Sequence, residues 1–464
     1  MNNQPTDQSK TTRARGRGHS LNRSARLYLL HAALLTASLA IYGLFFNLAI
    51  EALGYSREFL GTLNGLSIAV AAVLSVPLWW LVSRIGLRQS LALSTVLQAL
   101  SAVLIAWMPT TGLLLLAVAL TGMAATLFQV SAPPFMMAHS DAATRDHLFS
   151  ANQAINVGVA GVATFFAGQL KAGLGGLLDV DAESALAYRA TFGAAGIGLF
   201  ISILPLLFIH RSQRRDKPDA GNSSPPNVAP AGAPTRPPEL PPGADFWLAR
   251  LPGMRWLLAR LPEPIPGFVR QPALVVPLLI SPLLISFGAA LLIQYLNLFF
   301  KDQFAISDIV LGRIFAAIGI TTGFAALAGP IISTRIGKIW TIVLTQLLSI
   351  PFLLLMGFVP VLSVAIGAAL ARGAFFNMGS PLYDAFAMER TDESARPIVI
   401  GLINGAYTVG YLIAPRISTH VQERVGFAPL FVATALFYAA AAAANYLLFI
   451  RKASVQSSAA ITSQ

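Results

Sequence analysis

Arg372 follows a run from Val361 to Ala371 in which every residue is apolar or small. A guanidinium in such surroundings keeps its charge, so it needs carbonyls, amides or an anion around it. Other polar side chains interrupt similar runs. Gln294 and Asn297 are three residues apart and share a helix face, and Asn152 and Asn156 are four apart. Asn404, Tyr407 and Tyr411 fall on one stripe, while Tyr42, Asn47, Asn64, Gln129 and Asn377 stand singly. Groups of this kind make and break hydrogen bonds, not covalent bonds. They either glue helices together or line a path for a solute.

Catalytic patterns are missing. There is no G-x-x-x-x-G-K-[ST] loop for ATP hydrolysis and no G-x-S-x-G elbow. His19, His31, His139, His147, His210 and His420 show no metal-binding i,i+4 pair, and the absence of cysteine excludes disulfides and thiolate metal sites. No cofactor is implied. No carboxylate lies deep in an apolar run: Glu51 and Asp384 stand at its margins. With His31 they are the candidates for coupling to protons, each with a structural or interfacial role as the alternative.

The elements that must position these residues follow from composition. Of the 464 residues 55% are hydrophobic and only 11% charged, too few charges to cover a water-facing globule. Apolar runs long enough to span a bilayer recur roughly at 27–50, 58–82, 90–108, 112–136, 148–170 and 189–209, then at 272–300, 307–332, 339–359, 361–385, 397–419 and 427–450. The proline-rich segment 211–271 between the two sets reads as a flexible linker. Its stretch 246–262, with Trp and Arg alternating, suits the headgroup boundary. Residues 1–26 read as a disordered basic tail and 451–464 as a second tail. The net charge of +12 gathers in the tails and on one set of connections, which points to the positive-inside rule and anionic lipid, not to nucleic acid. An even number of spans then places both termini in the cytoplasm.

The two sets of spans are related by a repeat at an offset of 250 to 252 residues. "SREFLG" (Ser56–Gly61) pairs with "SDIVLG" (Ser307–Gly312), "NQAINVG" (Asn152–Gly158) with "NGAYTVG" (Asn404–Gly410), and the "NL" at Asn47 with the "NL" at Asn297. Arg84 and Gly86 pair with Arg335 and Gly337, in turns that also carry Arg88 and Lys338. Those turns, "WWLVSRIGLR" and "PIISTRIGKI", together with the six-plus-six layout, make the chain resemble the major facilitator superfamily. Trp79 and Pro330 replace the leading glycine of that family's cytoplasmic loop, and Ser83 and Thr334 its aspartate, which leaves the loop without its acid. The resemblance implies an all-α integral membrane protein of twelve transmembrane helices in two pseudo-symmetric six-helix halves. It also implies that spans 1, 4, 7 and 10 line a central cavity. On that basis Tyr42, Asn47, Gln129, Gln294, Asn297, Arg372 and Asn377 are pathway candidates, with Asn152, Asn156, Asn404 and Tyr407 beside them.

A span ending before Arg372 would hold about 11 residues, too few for a core of about 30 Å. The tenth span therefore runs on, and Arg372 stands about 16 Å from its outer end. The expected function is a secondary active transporter working by alternating access between two similar halves, not an enzyme. A proton-coupled exporter of amphipathic compounds is the leading form, uptake or exchange of an organic anion the alternative, and a receptor or membrane enzyme a more distant one. The expected partners are a small-molecule solute, protons and membrane lipids. The expected state is a monomer in the plasma membrane.

Overall fold

The computed structural model describes residues 21–107, 109–141, 144–209, 272–391 and 396–451. The linker, its stretch 246–262 and most of both tails lie outside these residues. Six helices form the N-terminal half: α1 Arg23–Ala52, α2 Arg57–Ile85, α3 Leu87–Trp107, α4 Thr111–Ala138, α5 Arg145–Leu177 and α6 Ala185–Leu207. Six more form the C-terminal half. α7 is Pro272–Leu292, a 3-10 turn Ile293–Tyr295 and Leu296–Phe304; α8 is Asp308–Ile336 and α9 Lys338–Phe358. α10 is Leu362–Met378 followed by Ser380–Glu389; α11 is Arg396–Val425; α12 is Ala428–Asn445, ending in the π turn Tyr446–Arg451. The end of the bundle where α1 starts is called proximal below, and the end where it stops distal.

Local chemistry explains the helix limits. Ser56 and Ser307, the paired serines of the repeat, cap α2 and α8 by accepting from the N–H groups of Phe59 and Val310. Gly86 and Gly337 close the paired turns at φ of 87° and 85°, a region open to glycine. α10 breaks at Gly379, where Pro381 follows within the first turn of the next piece and removes a backbone donor. The break in α7 carries neither glycine nor proline and was not expected from the sequence.

Among the described residues eleven helices are long and apolar enough to cross a membrane. α11 is outside that set, and its distal part carries Arg416, His420, Glu423 and Arg424. It nonetheless packs along α7 and α2, as a twelfth member of the bundle.

The halves meet along α2–α11 and α5–α8. Both seams depend on glycines of the repeat. A Cβ on Gly312 would stand 2.5 Å from the Thr164 carbonyl oxygen, and one on Gly61 2.8 Å from that of Pro415. Thr164 and Pro415 are separated by the same 251 residues as Gly61 and Gly312, so the two seams are copies of one contact. Backbone approach of this kind is how helices associate where lipid removes the hydrophobic drive. Gly312→Ala should therefore destabilise the protein by about 1–3 kcal/mol, the usual result of overpacking. Gly319→Ala on the same helix meets nothing within 4 Å, and should be neutral or stabilising by up to about 1 kcal/mol. Thermal unfolding of the purified variants in detergent compares them; equal shifts would count against the close seam.

Candidate functional site

Asn47, near the distal end of α1, and Asn297, in the second piece of α7, meet face to face. Nδ2 of Asn47 donates to the Gln294 carbonyl at 2.7 Å and to Oδ1 of Asn297 at 3.0 Å. Nδ2 of Asn297 donates to the Leu44 carbonyl at 2.9 Å. Leu44 and Gln294 each stand three residues before the asparagine of their own helix. Each asparagine thus reaches the equivalent carbonyl of the opposite half, and the pair forms a pseudo-two-fold clasp. The break in α7 prepares it. Oδ1 of Asn297 accepts from the Leu298 N–H at 3.0 Å, the N–H that an unbroken helix directs at the Gln294 carbonyl.

Asn64 of α2 extends the clasp, donating to Oδ1 of Asn47 at 3.4 Å and to the Tyr295 hydroxyl at 3.3 Å. Beside it lies a cavity of about 230 Å³ lined by Tyr42, Phe46, Asn47, Asn64, Thr121 and Gln294 among others. The Tyr42 hydroxyl bonds those of Ser101 and Thr121 at 3.1 and 3.3 Å. Polar groups from α1, α2, α4 and α7 therefore converge on one space between the halves. At about 30 Å³ per liquid water it holds a small solute or a few waters.

The other pathway candidates are placed apart. Gln129 is exposed on α4 and Asn404 on α11. Asn156 is exposed and accepts from the Thr36 hydroxyl at 3.1 Å, while Oδ1 of Asn152 is buried without a partner. Asn377 bonds the Gly373 carbonyl of its own helix at 2.9 Å. The Tyr407 carbonyl accepts from Ser286 at 2.6 Å. Arg372 is buried in the C-terminal half, its Nη2 donating to the Tyr438 hydroxyl at 2.6 Å. Of the coupling candidates, His31 is fully buried, with Nδ1 at 2.7 Å from the Ser202 carbonyl of α6. Glu51 is bound to Arg57 at 2.5 Å, and Arg57 to Asp302 of the other half at 2.5 Å. Asp384 is half-buried, with no hydrogen-bond or ion-pair partner among the described residues. In the proximal turns Arg88 donates to the Ile209 carbonyl at 2.6 Å, just past the end of α6, and Arg84 lies over Trp80 at 5.0 Å. Lys338 pairs with Glu389, and Arg335 is exposed.

One cluster was missed. Lys171 of α5 is 1% exposed and forms an ion pair with Asp308 of α8, itself 2% exposed. Tyr188 donates to Oδ2 of Asp308 at 2.7 Å and Lys301 to Oδ1 at 2.7 Å; Lys301 also pairs with Glu183. Asp308 is marginal in sequence, at the first residue of α8, but is enclosed by the facing half. The sequence signal was a lysine inside the apolar stretch "FFAGQLKAGLGG", which reads equally well as a loop charge. Glu58 adds a further bond between the halves, to His420.

The model of the Major Facilitator Superfamily matches residues 29–298 and 278–462. The chain belongs to that superfamily. Its fold is similar to that of a bacterial homolog of the human lysosomal transporter Spinster, in an inward-facing and unoccupied conformation, with a TM-score of 0.67 at 16% identity over 92% of this chain and 96% of that one. A D-xylose–proton symporter gives a TM-score of 0.65 at 15% identity over 91% and 97% of the two chains. A nucleoside transporter gives 0.64 at 15% over 91% and 100%. No curated protein matches the sequence. The superfamily's transporter fold accounts for the two seams and the cavity between them.

The clasp makes a specific energetic demand. Asn47→Leu and Asn297→Leu each remove the one bond the two amides share, together with that residue's own bond to a carbonyl of the other half, so each should destabilise by about 0.5–1.5 kcal/mol. The double variant should cost less than the two together, with a coupling of about 0.5 kcal/mol or more. Denaturant or thermal unfolding of the four proteins closes the cycle; additive effects would rule out the direct bond.

Proposed function

We propose that the protein is a secondary active transporter that carries a small amphipathic molecule across the membrane by alternating access. The observation that carries this reading is the cavity under the Asn47–Asn297 clasp. It is lined by the N-terminal half and by Gln294 of the other half, adjoins bonds between the halves that hydration can replace, and offers amides and hydroxyls against Phe46 and Val118. Such a lining fits a solute with a few polar groups on an apolar body. In this reading the distal end faces outward, both termini are cytoplasmic, the protein acts as a monomer in the plasma membrane, and the net direction is export. Asp384 is the proton-carrying group: a half-buried carboxylate without a partner among the described residues changes charge most readily as its surroundings change. The enclosed carboxylates at the distal end are tied into ion pairs. Uptake or exchange of an organic anion is the second form of the same carrier, favoured by the buried charge of Arg372.

Purified protein in liposomes, with an imposed pH gradient, should accumulate a labelled amphipathic solute against its own gradient. Asp384→Asn should lose that accumulation while still exchanging labelled for unlabelled solute across the bilayer. Accumulation by the variant equal to that of the wild type would remove Asp384 from coupling. Transport by the wild type indifferent to the gradient would end the proton-coupled form.

A further inference from the structure

Arg372 is 6% exposed, and nothing that surrounds it cancels its charge. Nη2 donates to the neutral Tyr438 hydroxyl. The guanidinium carbon lies 4.9 Å from the centre of the Phe376 ring and 5.6 Å from that of Tyr438, and these rings stack on each other at 4.5 Å. Nε is buried with no acceptor, and no carboxylate pairs with the group among the described residues. Asp384 stands about 18 Å further along α10, by helix rise. Lys171, the other deeply buried lysine or arginine among the described residues, has Asp308 against it. Ring faces attract a cation but carry no net charge, so Arg372 keeps an unneutralised charge and an unused donor.

We propose that Arg372 anchors an anionic group of the transported solute at a subsite inside the C-terminal half; the proposal rests on the carrier reading and narrows the solute to an amphipathic anion. The planar fork suits anions with two or more oxygens, such as carboxylate, sulfonate or phosphate. Tyr438 completes the subsite. Its oxygen accepts from Arg372, which leaves its own hydrogen free to donate to the same anion. Phe376 of α10 and Tyr411 of α11 are both half-buried, and Tyr411 is within electrostatic reach of Arg372. They supply an apolar wall for the body of the solute. Two-point recognition follows, with the charge on Arg372 and the body beside the aromatic rings.

The test uses the full chain, purified in detergent. Its thermal unfolding is followed against benzoate, benzenesulfonate and phenyl phosphate, with benzamide and benzyl alcohol as neutral counterparts. The wild type should be stabilised by the anions at concentrations where the neutral compounds have no effect. Arg372→Gln should bind the anions roughly tenfold to a hundredfold more weakly. Arg372→Lys should fall between, since it keeps the charge without the fork, and Tyr438→Phe should keep the preference for anions. Equal stabilisation of the wild type by neutral and anionic compounds would overturn the proposal, as would an unchanged anion preference in folded Arg372→Gln. Should Arg372→Gln not fold, wild-type affinity for benzenesulfonate in Arg372→Lys overturns it instead. Flux in liposomes separates the two readings. Anion-specific binding without movement of those anions defeats the carrier and leaves the site. Movement of neutral solutes, untouched by anions and by Arg372→Gln, defeats the site and leaves the carrier.

Discussion

The exchange in which Asn47 and Asn297 each donate to a carbonyl of the opposite half is the constraint around which the halves are arranged. It requires α1 and α7 to present one asparagine each at equivalent depth, and it requires an accepting carbonyl three residues upstream of each. The first condition comes from the repeat. The second is not symmetric: α1 runs unbroken past Leu44, while α7 gives up a turn at Ile293–Tyr295 to present Gln294. One half therefore distorts to satisfy an otherwise symmetric contact. Broken helices of this kind are tolerated at membrane depth only where protein or a wet cavity receives the freed groups. Here both are present, in Asn47 and in the cavity beside it.

The strength of the distal closure fits a protein that must open. Hydrogen bonds between helices in membranes average about 0.6 kcal/mol, so the clasp contributes a small amount per bond. The ion pair of Lys171 with Asp308 looks stronger, since stripping one partner from a buried pair costs about 3–5 kcal/mol. Opening the end does not strip one partner, however. It delivers both charges, with Tyr188 and Lys301, to water at once. Lost attraction is then offset by recovered hydration, and closed and open forms can lie close in free energy. The glycine seams at Gly61 and Gly312 work differently. They set backbone-to-backbone distances and have no hydrated alternative, which suits them to act as the surfaces over which the halves turn.

Much of the fold was legible in the sequence because lipid allows few solutions. Composition and run length give spans, and the offset repeat gives two halves. The paired Ser and Gly positions reappear as the caps at Ser56 and Ser307 and the positive-φ turns at Gly86 and Gly337. The site was legible only in part. Tyr42, Asn47, Asn64 and Gln294 stand together at the cavity, but Ser67 and Thr121, which complete its polar lining, are ordinary polar residues in their own helices. The pairing of Lys171 with Asp308 joins residues far apart in the chain, and no periodicity within either helix announces a partner in the other half. The turn in α7 was invisible because neither glycine nor proline marks it in its own sequence.

The repeat also shows where the halves part company. An offset of 251 carries Gly373 to Gly122 and Arg372 to Thr121. The glycines keep one role, each packing its helix onto a neighbour, α8 at Thr322 or α2 at Ser67. The residues before them also keep a role in outline, because each bonds a tyrosine hydroxyl, Thr121 that of Tyr42 and Arg372 that of Tyr438. What changes is the charge. Thr121 closes a neutral network already satisfied by Ser101, whereas Arg372 brings a cation into an equivalent place with rings for company and no carboxylate among the described residues. A structural need for a tyrosine bond is met by threonine in one half. The same need does not account for a guanidinium in the other, and the excess charge is the part that a visiting solute explains.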